Sequence, residues 1–290
     1  MDAMKATWPR WLAVYVVSQA ALYFTVKGSL ASLGPALFLP VYLLGSSALL
    51  ALVSRGGVRV SRDVVALGLM QAASAALWLS GLYLLPPATS ASLNFLMPFV
   101  AVGLSSALMG EGLGAWEAAG AAVGGAGVGL YAVASVKGAR SGLGVALTLA
   151  NAFAWAAYSV YYRRFRDADP ARLNATSLMF AGLASLPAVA VGVRSGLPSA
   201  DTRALAYLVG ALASSALGYA SWTGLMRSTS VARATLSSYA VPASIAALQT
   251  ALGQPVSPLQ ALGLGVMVLG ASIAFREGRH TSSQSFISAT

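Results

Sequence analysis

The stretch ALWLSGLYLLPPATSASLNFLMP, residues 76–98, and the stretch ASWTGLMRSTSVARATLSSYAVP, residues 220–242, decide how this chain is read. Ala76, Trp78, Ala88 and Pro98 return 144 residues later as Ala220, Trp222, Ala232 and Pro242. After a slip of one residue, Gly110, Ala118, Gly120, Val123 and Gly127 return as Gly253, Ala261, Gly263, Val266 and Gly270. Both copies are almost wholly apolar. A hydrophobic chain made of two copies of one unit is a common transporter plan, with the substrate site at the seam between the copies.

Composition supports a membrane setting. The chain has 290 residues, of which 57% are hydrophobic and 9% charged. A soluble domain carries about 25% charged residues, so this chain could not cover its surface in water. It has no cysteine, which removes disulfides, thiolate metal sites and a cysteine nucleophile. Its single histidine, His280, lies in a polar tail. The net charge of +10 raises nucleic-acid binding. However, nearly every Lys and Arg sits in a short loop between apolar runs, with no basic face and interleaved aromatics, which argues against that partner. Lys5 and Arg10 precede an apolar run as in a signal peptide, but the run continues through Tyr23 to Val26 and reads as a retained first helix.

Ten apolar segments reach spanning length, where about 20 residues make a span. They run over 11–27, 35–53, 64–85, 88–109, 116–135, 142–162, 174–193, 204–226, 231–252 and 259–275. Period-two alternation is absent, so the spans are helices. The expected fold is an all-α membrane protein of ten transmembrane helices, arranged as two inverted five-helix repeats around a central cavity. The first repeat covers 1–135, the second 142–276, and 277–290 form a polar cytoplasmic tail. Basic residues assign the sides. Thirteen (5, 10, 55, 59, 62, 163, 164, 166, 172, 227, 233, 276 and 279) fall on one side, and five (27, 137, 140, 194 and 203) on the other. Both termini are therefore expected in the cytoplasm, and five spans per repeat, an odd number, invert the second copy.

The acids are few and none lies mid-span. Asp63, Asp167, Asp169, Asp201 and Glu111 fall in loops, Asp2 and Glu277 near the ends, and Glu117 at the start of the fifth helix. Proton relays and cation sites inside membranes need such a group, so a carboxylate-driven antiporter and an aspartyl protease are not supported. A Ser–His protease or a zinc site lacks the histidines it needs. No enzyme chemistry, metal or cofactor is expected.

What the spans do carry is polar and aromatic residues at helical spacing. Asn151, Trp155, Tyr158 and Tyr162 share a face of the sixth helix, and Gln71, Ser74 and Trp78 one of the third. Ser215, Tyr219 and Trp222 do so in the eighth, and Tyr15, Gln19 and Tyr23 in the first. The ninth offers Ser238, Tyr239, Pro242 and Gln249, and the fourth Asn94 and Pro98. Such groups can serve as interhelical glue or interfacial anchors. Six helices with such faces favour a shared cavity walled by helices 1, 3, 4, 6, 8 and 9. Its expected substrate contacts are Gln19, Gln71, Trp78, Asn94, Asn151, Trp155, Tyr158, Tyr219, Trp222, Ser238 and Tyr239. Pro98 and Pro242 fall mid-span, as hinges or static kinks. The glycine-rich fifth and tenth helices suit close packing, with a homodimer face as the alternative.

The run Ala88-Thr89-Ser90-Ala91-Ser92-Leu93, then Pro98, Gly110-Glu111 and the glycine-rich fifth helix resembles the repeat unit of the drug/metabolite transporter superfamily, EamA type. The second copy matches it at Pro242 and Gly253, with Gln254 where Glu111 stood. A narrower likeness is carried by Ala152-Phe153-Ala154-Trp155-Ala156-Ala157-Tyr158, Leu217-Gly218-Tyr219-Ala220-Ser221-Trp222, Ser238-Tyr239 with Pro242, and Leu33-Gly34-Pro35. These, with Tyr42 where many relatives have an arginine, look like the aromatic amino-acid exporters of that superfamily. The resemblance implies export of aromatic and other neutral amino acids across the bacterial inner membrane by alternating access. Aromatic walls suit flat side chains, and Asn and Gln hold an ammonium and a carboxylate without a full charge. The alternatives are a sugar-phosphate, nucleotide-sugar or drug carrier, and a non-transporting membrane subunit. A phosphate carrier would place Lys or Arg in the cavity.

Overall fold

The computed structural model describes residues 8–54, 60–109, 114–165, 168–194, 202–228 and 239–274. Among them every regular element is helical. The helices are α1 (Trp8–Val53), α2 (Arg62–Leu84), α3 (Pro87–Asn94), α4 (Met97–Met109), α5 (Ala115–Ser135), α6 (Ala139–Tyr162), α7 (Pro170–Ser185), α8 (Pro187–Arg194), α9 (Thr202–Ser228), α10 (Ala240–Ala251) and α11 (Pro258–Ala274). By length and composition five of the described helices suffice to cross a membrane, or six if the bent pair α7–α8 is one span. The outer surface is apolar: Leu52 is 82% exposed and Val133 72%. Surface of that kind belongs in lipid rather than water.

α1 is two antiparallel arms joined without a loop. Tyr23 and Tyr42, 19 residues apart, would lie roughly 28 Å apart in a straight helix. Both nevertheless pack on Trp78, with ring centroids at 5.5 and 5.9 Å. The reversal is at Gly34, whose φ of 66° and ψ of 163° are open to glycine alone. The arms, 8–33 and 35–53, correspond to the first two expected spans.

Small residues set how the helices meet. Gly210, Gly218 and Gly224 of α9 receive Thr25, Gln19 and Trp11 of α1, an antiparallel match. Gly81 of α2 meets Thr148 of α6, and Gly144 of α6 meets Leu85, antiparallel again. Gly182 and Gly192 receive Leu44 and Leu37 of the second arm of α1. α5 and α11 interlock through Gly124, Gly127, Gly263 and Gly270, so these glycines serve packing within the chain. Gly125, Gly129 and Gly265 face open space.

Side chains satisfy three of the helix ends. Ser61 accepts from the Val64 amide and caps α2, and Asp169 accepts from the Ala171 amide at the start of α7. At the other end of α2, the Lys27 ammonium donates to the carbonyls of Leu82, Tyr83 and Leu85 at 2.8, 2.8 and 2.9 Å. A cation on the last carbonyls of a helix also suits its dipole.

The structure corrects four sequence expectations. The fourth span is broken: α3 ends at Asn94 and α4 starts at Met97. Pro98 causes this, because its ring clashes with the carbonyl four residues back, that of Asn94. The proline therefore stands in the first turn of α4, where its missing N–H costs nothing, and not mid-helix. Pro242 likewise stands in the first turn of α10. The seventh span bends by 50° between α7 and α8, before Pro187. In the ninth, 231–238 lie outside the described residues, as do Glu111 and the tail.

Candidate functional site

Where the two arms of α1 meet α2, α6 and α9 there is a cavity of about 150 Å³. That is the size which, in an apolar setting, admits a benzene ring. Aromatic residues dominate its wall: Tyr15, Tyr23, Tyr42, Trp78, Phe95, Trp155, Tyr219 and Trp222. The polar part consists of Gln19, Gln71, Ser74, Asn94, Asn151 and Ser215. None of the residues lining it is an acid, a Lys, an Arg or a His.

Eight of the eleven expected contacts line this cavity: Gln19, Gln71, Trp78, Asn94, Asn151, Trp155, Tyr219 and Trp222. Helical spacing found them because a polar group in an apolar span is conspicuous. Tyr158 lies behind the wall, with its ring stacked on Trp155 at 4.9 Å, and packs toward Leu67 and Leu173. Tyr239 is also displaced from the wall. Its ring lies 5.5 Å from both Phe95 and Phe99, and its hydroxyl donates to the Phe95 carbonyl at 3.1 Å. Ser238 lies outside the described residues. Helix 9 of the expected wall thus contributes no described lining residue, and its place is taken by Tyr42 and Leu43 of the second span. Gly34 brings them in, by folding the second arm back beside the first.

The polar groups form ordered chains. Ser74 donates to Asn151 Oδ1 at 2.6 Å, Asn151 Nδ2 to Asn94 Oδ1 at 2.6 Å, and Asn94 Nδ2 to the Tyr23 hydroxyl at 3.2 Å. The break before Pro98 puts Asn94 at the end of α3, where its amide bridges α6 and α1. Ser177 donates to Gln71 Oε1 at 3.1 Å, and Gln71 Nε2 to the Tyr219 hydroxyl at 2.6 Å. Ser46 donates to Ser215 at 2.9 Å, and Ser215 to the Tyr42 hydroxyl at 3.2 Å. The indole N–H of Trp78 is buried and lacks a hydrogen bond. The Tyr23 hydroxyl lies beside it. Such a site can hold a flat, small, polar-headed molecule. No cluster of three or more His, Asp or Glu occurs among the described residues.

Comparison with known proteins agrees with this picture. Residues 142–276 match the EamA-like transporter family. A protein of Acidianus ambivalens, described as an uncharacterized transporter in the sor 3′ region, is 29% identical over 246 residues, covering 83% of this chain and 94% of that one. A protein known from a crystal structure shares the fold with a TM-score of 0.67 at 22% identity, over 93% of this chain and 96% of its own. Residues 142–276 are thus similar to the EamA-like transporter family, and the chain that contains them is a multi-pass helical membrane protein.

Proposed function

We propose that this protein exports aromatic and other neutral amino acids by alternating access around the cavity. One observation carries the reading: a cavity at the seam of the two halves, walled by aromatic rings and side-chain amides, without a charged group. Its lining comes from both sides of the 136–141 boundary, Tyr15 to Met97 on one side and Asn151 to Trp222 on the other. A sugar-phosphate carrier would need a cation there to meet the phosphate.

The ten spans, the two inverted repeats of 1–135 and 142–276, and cytoplasmic termini in a bacterial inner membrane belong to the same proposal. Helix pairing supports the inversion. The first span packs on the eighth and the third on the sixth, which is the exchange that a two-fold axis relating the repeats requires. In the same sense Ser74 bonds Asn151, and Gly218, 144 residues after Ser74, abuts Gln19. Gln19 and Asn151 are then counterparts in the wall. Pro98 and Pro242 start corresponding half-helices and are the hinges of the scheme. Tyr158 acts by backing Trp155, and Tyr239 lies at the edge of the site. Lipid surrounds the chain, and the open Gly125–Gly129 face of α5 is where a homodimer would form.

Flux of labelled amino acids in proteoliposomes tests the reading. Saturable movement of tryptophan, phenylalanine or another neutral amino acid is expected. Transport of sugar phosphates with no amino-acid movement would overturn it.

A further inference from the structure

The three hydrogen-bond chains of the cavity share one property. Each starts at a serine and ends at a tyrosine: Ser74 through Asn151 and Asn94 to Tyr23, Ser177 through Gln71 to Tyr219, and Ser46 through Ser215 to Tyr42. Each tyrosine accepts the last bond on its oxygen. A hydroxyl also has one proton to donate, and with the bonds in this direction none of the three protons has an acceptor among the described residues. All three tyrosines line the cavity. Tyr23 and Tyr42 flank Trp78, and Tyr42 neighbours both Tyr23 and Tyr219. Three unused donors belong to the wall of one small space of low polarity, where an unpaired buried donor is costly. Each accepted bond strengthens the O–H that follows it, by roughly 10–30%.

We propose that this cluster is an acceptor site: the hydroxyls of Tyr23, Tyr42 and Tyr219 hold the carbonyl or carboxylate oxygens of the transported molecule. The site rests on the amino-acid reading above and deepens it. Recognition runs through the acid end of the amino acid, without a cation, while the amine faces the aromatic rings, which attract a positive charge. The serine at the origin of each chain positions its tyrosine. The direction of the amides of Asn94, Asn151 and Gln71, and of the bond between the Ser215 and Tyr42 hydroxyls, is decisive. Turned round, they would draw the tyrosine protons inward and leave no requirement for an acceptor.

Competition against labelled phenylalanine in proteoliposomes tests the site. Phenylalaninamide keeps a carbonyl acceptor and loses the negative charge, whereas phenethylamine carries the same cationic amine and ring and has no acceptor. Phenylalaninamide is expected to compete within a few-fold of phenylalanine, and phenethylamine to be weaker by about tenfold or more, as several lost hydrogen bonds imply. Tyr23→Phe, Tyr42→Phe and Tyr219→Phe should each weaken phenylalanine and its amide by about fivefold and leave phenethylamine unchanged. Phenethylamine competing as well as phenylalaninamide would overturn the acceptor site while leaving the amino-acid reading intact. If none of the three compounds binds, the amino-acid reading falls and the site falls with it. The ligand comparison needs no variant, so a variant that fails to fold does not obscure it.

Discussion

Gly127 and Met267 meet so closely that a Cβ added to the glycine would stand 2.6 Å from the Met267 backbone nitrogen. Two backbones cannot move aside as a side chain can. Gly127→Ala is therefore expected to lower stability by about 1–3 kcal/mol, the usual cost of overpacking. Gly265→Ala, on the open face of the partner helix, should be close to neutral. Thermal unfolding of the two variants in one detergent checks this. Equal melting temperatures would show that the α5–α11 seam is looser than described.

Lys27 joins the first arm of α1 to the end of α2 by three hydrogen bonds to carbonyl oxygens. Lys27→Met keeps the aliphatic stem and removes the donors. Hydrogen bonds to a charged group are worth about 1.5–3 kcal/mol, and water can reach part of this site, so the expected loss is about 1–2 kcal/mol in total. A lower melting temperature with an unchanged ligand preference is the expected outcome. A changed preference among phenylalanine, its amide and phenethylamine would move Lys27 from a structural cap into the site.

Much of this architecture is legible in the sequence, and what is not has identifiable causes. Gln71, Trp78, Asn151, Trp155, Tyr219 and Trp222 stand out because polar and aromatic residues repeat at helical spacing inside apolar spans. Tyr42 does not, because its place in the wall depends on Gly34 turning one arm back beside the other. Tyr239 shares a face with Pro242, yet Phe95, a residue of the other half, claims its ring. Tyr158 follows Trp155 at the right spacing and is held behind it by the stacking of the two rings. The break at Phe95–Leu96 was readable in part, since Pro98 must end the preceding helix at about Asn94. Sequence periodicity identifies faces but not which ring on a face lies in front.

The charges predict cytoplasmic termini, since the proposed ten spans put 13 of 18 basic residues on one side. A reporter that is active only in the cytoplasm, fused to the C-terminus, should give full signal. A silent reporter on a well-expressed fusion would reverse the topology and the direction of export.

No acid or histidine lines the cavity. A proton-coupled cycle needs a group that binds and releases the proton within reach of the substrate. Amino-acid flux down its own gradient is therefore expected to persist in vesicles with no pH gradient and no membrane potential. Strict dependence on an imposed proton gradient would contradict this and point to a carrier group outside the cavity.

Trp155 faces the cavity, and its other face is stacked on the buried Tyr158 at 4.9 Å and 29°. The stack fixes the indole plane, so the wall is rigid where it would meet a flat substrate. Trp155→Ala removes that surface, and losing an aromatic pair costs about 0.5–1.5 kcal/mol beyond area burial. The expected result is flux of tryptophan or phenylalanine reduced by about fivefold or more per folded molecule. Tyr158→Ala leaves the indole in place but unsupported, so a smaller loss of flux with a larger loss of stability is expected. Flux and melting temperature must be read on the same preparations. If Trp155→Ala transports normally per folded molecule while melting lower, Trp155 is packing and the substrate lies elsewhere in the cavity. If flux falls and stability holds, the indole touches the substrate.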